Sequence, residues 1–336
     1  MEPIHNASLT SAEISQLWAS YQNDTLAICV MKHFLQIVED PDIAAILEES
    51  LELSQSHIPI LTNFFNGENW PVPQGFTEND VDLSAPRLVT DHFMLYYIQQ
   101  MGTVGINGYS MALSLATRQD LHTYYKNCMT ESMNLQAKSN ELLLKKGFYI
   151  RAPQLTPPSG IDFVTDQKFL GGWFGENRPL ATLEIAHMFA NVQRNVLGRS
   201  LMMAFSQVTS TQKIRDHMVK GKELAQKQIT QFASKLNDND IQSPITSDAD
   251  VTHSTYAPFS DKLMMYHTNA LIGASIAYYG TSMAQSLRKD LQLAYTKQIA
   301  EIMKYASDSV KIMIENGWME EPPMSVDRDQ LARKKD

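Results

Sequence analysis

The chain has 336 residues, 43% of them hydrophobic and 19% charged, and carries a net charge of −9 at neutral pH. That length suffices for two ordinary domains, each with its own core, and the composition excludes long disordered tracts. The acidic balance argues against nucleic acid as the main partner, no apolar run reaches the ~18 residues of a membrane span, and Cys29 and Cys128 are too few for a disulfide framework.

The opening, MEPIHNASLTSAEI, lacks a basic stretch followed by an apolar one, so no signal peptide is expected. Two cysteines in a chain this size fit reduced, buried thiols in a cytoplasmic protein.

Four helices are predicted over residues 1–150. Helix A opens with Thr10 as N-cap and Glu13 three positions on, flanked by Leu9 and Ile14: a capping box inside a hydrophobic staple. Helix B opens at Asp40-Pro41, with the proline at N1, where its missing N–H costs nothing. Its apolar residues Ile43, Ile46, Leu47, Leu51 and Ile58 recur at helical spacing. Helix C opens at Thr90-Asp91, and helix D runs from about Arg118 to Lys146 and stops at Gly147, a left-handed C-cap. The A–B and C–D connections are tight, so each pair forms an antiparallel hairpin. The B–C connection is long and contains WPVPQGF.

The pattern then repeats. Thr90–Gly147 and Ser260–Gly317 run in register without a gap, and the phrase Arg-x-Asp-Leu recurs at Arg118-x-Asp120 and Arg288-x-Asp290. Earlier in each half the offset is 171, with LTSAEISQLWASYQND (9–24) matching LATLEIAHMFANVQRN (180–195). Two hairpins joined by a long crossover is the connectivity of ferritin-like bundles. The fold expected is therefore all-α: two tandem ferritin-like four-helix bundles produced by internal duplication, at 1–150 and 180–322. A linker at 151–179 joins them and a polar tail follows at 323–336. The linker is rich in Pro and Gly yet carries Ile161, Phe163, Phe169, Trp173 and Phe174, so it is expected to be an ordered strap packed on the bundles.

Taken together, LTSAEI, WPVPQGFT, FLGGWFGENRPL, APFSDKLMMYH, SLRKDL and NGWMEEPPMSVDRD resemble the DUF3231 family of spore-forming bacilli over Leu9 to Asp329. The resemblance implies a tandem ferritin-like fold and brings no established activity. Its single-copy relatives are loosely grouped with spore coat proteins, which implies a spore-associated role.

Di-iron sites in such bundles need a carboxylate from each of two helices and Glu-x-x-His from the other two. Only one Glu-x-x-His occurs, Glu184 to His187, so the usual ligand set is incomplete. A partial metal site in the second copy would draw on Glu184, His187, Glu223, His267 and Glu301. The structural alternative is that Glu184, like its counterpart Glu13, caps its own helix. Arg118, Asp120, Arg288 and Asp290 fall where helix C turns into helix D, with each acid in the first turn of its helix and each arginine beside it. The glycines of helix C (Gly102, Gly105, Gly108) point to close backbone approach of a neighbouring helix or to a small-ligand cleft.

Charge is divided unevenly. Residues 1–150 hold 17 acids and 7 bases, the remainder 20 and 21. Helix B carries Asp42 and Glu49 in one copy but Lys213 and Lys220 at the aligned positions of the other. These faces are candidates for pairing with each other, within the chain or between protomers, or with a protein partner. The expected function is a non-catalytic scaffold acting through its surfaces; the alternative is a metal-binding protein or oxidoreductase with one degenerate site in the second bundle.

Overall fold

A computed structural model describes residues 7–172, 177–244 and 250–333. Eight long helices fall into two repeated halves. The first contains α1 (Ser11–Ile37), α2 (Pro41–Gly67), α3 (Asp91–Leu115) and α4 (Gln119–Lys145). The second contains α5 (Thr182–Val208), α6 (Gln212–Asn237), α7 (Asp261–Gln285) and α8 (Lys289–Glu315); the tail adds a short α9 (Arg328–Arg333). Thr10 and Glu13 form the capping box, Asp40 caps α2 with Pro41 behind it, and Thr90 caps α3. Gly147 and Gly317, at φ 72° and 66°, take the left-handed conformation that ends α4 and α8. Among the described residues no helix is long and apolar enough to cross a membrane.

Each half packs α1 on α2 and α3 on α4, or α5 on α6 and α7 on α8, with the second helix of each half also touching the fourth. Glu13, 1% exposed, locks the first half. One carboxylate oxygen accepts from the Thr10 backbone N–H (2.9 Å), while the other accepts from the backbone N–H groups of Thr117 and Arg118 (2.8 and 3.0 Å) in the α3–α4 turn. Glu184 repeats this in the second half, accepting from Ala181, Leu287 and Arg288, with Arg178 added at 2.8 Å. Arg118 pairs with Asp120 (2.6 Å) and with Glu68, and Arg288 pairs with Asp290 (3.0 Å). The repeated phrase therefore builds the turn.

The two halves are related by a pseudo-twofold axis legible in single hydrogen bonds. The Asp82 N–H donates to the Pro258 carbonyl and the Thr252 N–H to that of Leu88; the Ser260 N–H donates to Asp80 and the Thr90 N–H to Asp250. Each bond becomes its partner when 170 is added to one residue and subtracted from the other. The hydroxyls follow: Ser260 donates to Asp80 (2.7 Å) and Thr90 to Asp250 (3.0 Å). So the long B–C crossovers clasp each other, pairing Val81 with Phe259 and Val89 with Val251 in isolated antiparallel bridges.

The expectation of two separate cores needs correction. Each half has its own apolar cluster at one end, Ile14, Leu17 and Tyr125 in the first and Ile185, Met188 and Tyr295 in the second. Between them lies a third cluster made jointly, with Val30, Phe34 and Met94 meeting their repeats Leu201, Phe205 and Met264. Sharing it removes from water two apolar faces that separate bundles would expose.

Two further expectations change. Ile161 and Phe163 are 90% and 86% exposed rather than packed on the bundles. Pro153, Pro157 and Pro158 hold this segment outside helix or strand, so nothing carries its side chains back to the surface. Phe169 is half-buried beneath Arg178, and Trp173 and Phe174 lie outside the described residues. The acidic and basic helix B faces do not pair within the chain. Asp42 and Glu49 meet Lys145 and Lys138 of α4, whereas Lys213, Lys220 and Lys227 meet Glu315, Asp308 and Glu301 of α8. Each half inverts the sign of both ladders, so every rung closes within its own half.

Candidate functional site

The five second-copy residues with metal-ligand chemistry do not converge. Glu184 is engaged by Arg178 and three backbone N–H groups, which outweigh burial and hold its carboxyl below its ordinary value. The His187 Nε2 lies 2.6 Å from the Gln285 side-chain oxygen, Glu223 faces solvent, and Glu301 is paired to Lys227 at 2.6 Å. His267 sits in the shared core, where its Nε2 shares a hydrogen bond with the Tyr97 hydroxyl (3.0 Å); burial drops its pKa to about 4, so the ring is neutral.

The first half assembles a different cluster. Asp24 on α1, His57 on α2 and Cys128 on α4 are 5%, 6% and 1% exposed. Glu131 lies one turn beyond Cys128, and positions i and i+3 share a helix face. The His57 Nδ1 faces both Asp24 carboxylate oxygens at 3.2 and 3.3 Å. Its Nε2 lies 2.9 Å from Glu131 and 3.6 Å from the Cys128 sulfur. Tyr109 and Tyr124 present ring edges to the imidazole at 6.4 and 5.8 Å.

Electrostatics follow from this geometry. Burial disfavours the His57 cation, but hydrogen bonds to Asp24, Cys128 and Glu131 outweigh it and raise the ring to about 12. Burial raises the Asp24 carboxyl, with His57 and Ser54 opposing, and raises the Cys128 thiol despite His57, so the sulfur keeps its proton. Two carboxyl groups flank one imidazole, one at each ring nitrogen, with a thiol beside the second. Such a group can hold a proton next to a bound molecule, or exchange protons for a cation.

The repeat supplies an internal comparison. At the positions matching Asp24, His57 and Cys128 the second half has Asn195, Gln228 and Gln298. Neutral groups replace the acid, the base and the thiol: Asn195 donates to the Tyr279 hydroxyl (2.5 Å), which donates to Gln228 (3.1 Å). Glu131 and Glu301 are both retained but point to different partners. Lys227 takes Glu301, whereas the aligned residue in the first half is Ser56, which leaves Glu131 free for His57.

Asp24, His57 and Glu131 of the cluster line a cavity of about 720 Å³ that runs between α1, α2, α3 and α4 and is bordered on its far side by α7. Gly102, Gly105 and Gly108 line it, and a Cβ on Gly102 would come 2.9 Å from that of Gln136 on α4. Both readings of the helix C glycines are thus realised, close approach on one side and open space on the other. The corresponding pocket of the second half, lined by Asn195, Gln228, Met202 and Tyr305, has about 100 Å³.

Searching for Glu-x-x-His missed this site, because its ligands are Asp, His and Cys-x-x-Glu on different helices. Setting the two copies in register exposes it: three ionisable residues face three amides.

The architecture is a duplicated helical bundle with one polar cluster. The family model "Protein of unknown function (DUF3231)" matches residues 3–161 and again 168–331, and the chain belongs to that family. No curated protein matches. Among solved structures, a candidate spore coat protein from Bacillus halodurans C-125 is similar at 17% identity and a TM-score of 0.43, over 45% of this chain and 98% of that one.

Proposed function

We propose that the first half is a binding module for a small molecule, and that the second half is its structural partner, with the equivalent site neutralised and filled. The observation that carries this reading is the large cavity lined by Asp24, His57 and Glu131, at whose matching positions the repeat has only amides and a lysine-paired acid. Preformed, mostly apolar cavities with a few convergent polar groups are the usual form of a ligand site. The carboxyl oxygens of Asp24 and Glu131 and the rings of Tyr97, Tyr109 and Tyr278 favour a largely apolar molecule with a cationic or hydrogen-bond-donating group. A scaffold role in a spore-forming bacterium, expected from the sequence, needs no such cavity and is the alternative.

Titration with the neutral fluorescent dye Nile red separates the two. Saturable binding of one dye per chain is expected, weakened in Ala27→Phe, whose ring projects into the cavity, and kept in Gly198→Ala on the second-half pocket. Equal binding by wild type and Ala27→Phe, or none by either, contradicts the proposal and leaves the scaffold.

A further inference from the structure

We infer that His57, Cys128 and Glu131 form a mononuclear site for a divalent transition metal of the zinc class, with Asp24 orienting the histidine. This deepens the binding-module reading and rests on it, since the cavity supplies the open coordination position. The His57 Nε2, the Cys128 sulfur and a Glu131 oxygen all lie within 4.8 Å of one another. Bonds of about 2.0–2.3 Å at tetrahedral angles place neighbouring ligand atoms about 3.3–3.6 Å apart. The observed 3.6 Å between nitrogen and sulfur already meets that spacing, and the 2.9 Å between nitrogen and oxygen needs a small opening.

The surroundings fit as well as the ligands. A metal-bound histidine ordinarily donates its other N–H to a carboxylate, and Asp24 stands at Nδ1, leaving Nε2 for the metal. Mixed nitrogen, sulfur and oxygen donors suit zinc or cobalt rather than magnesium or calcium. Three protein ligands with the fourth direction open to a cavity is the pattern of zinc sites that exchange ligands. Binding balances without electron transfer. The Nε2 proton of His57 and the thiol proton of Cys128 leave, their lone pairs bond the cation, and Glu131 adds its existing charge.

The repeat argues the same way. At the aligned positions the second half retains the glutamate but has Asn195, Gln228 and Gln298 in place of acid, histidine and thiol, and its glutamate pairs with Lys227. This site differs from the partial site expected in the second copy; it lies in the other half and uses none of those residues.

Titrating metal-stripped full-length protein with Co²⁺ tests it. Expected are one tight site per chain, a thiolate-to-cobalt charge-transfer absorption, and release of about two protons. Cys128→Ser should abolish that absorption and His57→Gln the tight site, while Asp24→Asn weakens affinity about 10–100-fold. His57→Gln and Asp24→Asn install residues that the second half already accommodates, so folding is preserved. Stoichiometric binding unchanged in His57→Gln and Cys128→Ser, or no tight site in the wild type, overturns the inference. Nile red binding without metal binding would remove the metal site alone; metal binding without dye binding would remove the organic ligand alone.

Discussion

At the scale of single residues, what stands out is how differently the histidines are treated. His57 is bracketed by the carboxyl groups of Asp24 and Glu131, which raise its pKa, whereas His217 is stacked on Tyr305 at 4.2 Å and 5% exposed. Burial, reinforced by Lys220 and opposed by Asp308, lowers His217 to about 4, so it is neutral in the native protein. The unfolded chain takes up a proton near pH 6.5 that the native form refuses until about pH 4. More protons are then bound in the unfolded state, so stability rises with pH across that window. Its share is complete above about pH 6.5, is lost progressively as pH falls towards 4, and amounts to at most about 3 kcal/mol. His217→Ile, which installs the residue found at the matching first-half position, Ile46, should reduce the slope of that limb in urea melts taken between pH 4 and 7 by one histidine's share, with His33 and His267, also lowered to about 4 by burial, keeping theirs. An unchanged slope would show that His217 is not the neutral, buried group described.

At the scale of elements, helix ends were legible in the sequence because caps are local chemistry. Thr10, Asp40, Thr90 and the two terminal glycines act over three or four residues, and each lies where its spacing puts it. Glu13 also forms a capping box, but its second oxygen reaches 104 residues along the chain to the α3–α4 turn. No local pattern reveals that reach. Replacing Glu13 with alanine leaves the Thr117 and Arg118 N–H groups without a partner, at about 1–3 kcal/mol for each buried group. A loss of about 2–4 kcal/mol is expected in chemical denaturation, with Glu13→Gln retaining part of it. A loss below ~0.5 kcal/mol would mean that water replaces the carboxylate without cost. The charge ladders were read with the correct sign, and within the chain the partners of helix B are the fourth helices of the same half. Positions 213, 220 and 227 lie opposite 315, 308 and 301, a seven-residue spacing that antiparallel neighbours within one half satisfy directly.

At the scale of the molecule, duplication explains both what the sequence revealed and what it hid. Matching residues place matching helices, so the repeat was visible, down to the one-residue change of offset between helices A–B and C–D. The clasp of the crossovers and the shared core depend on how two surfaces meet. The segments after α4 and α8 follow the same symmetry: the Ile150 carbonyl accepts from Gln193, and Glu320 accepts from Gln22. Against that symmetry stand the inverted charge ladders and, in the interior, the polar cluster and its cavity, which make the first half the binding half and the second its silent copy. Anomalous diffraction at the zinc edge, from crystals equilibrated with zinc, tests that division most directly. The account predicts a single strong peak among His57, Cys128 and Glu131, with none among Asn195, Gln228 and Gln298. No peak in the first half, or peaks of equal height in both, would contradict it.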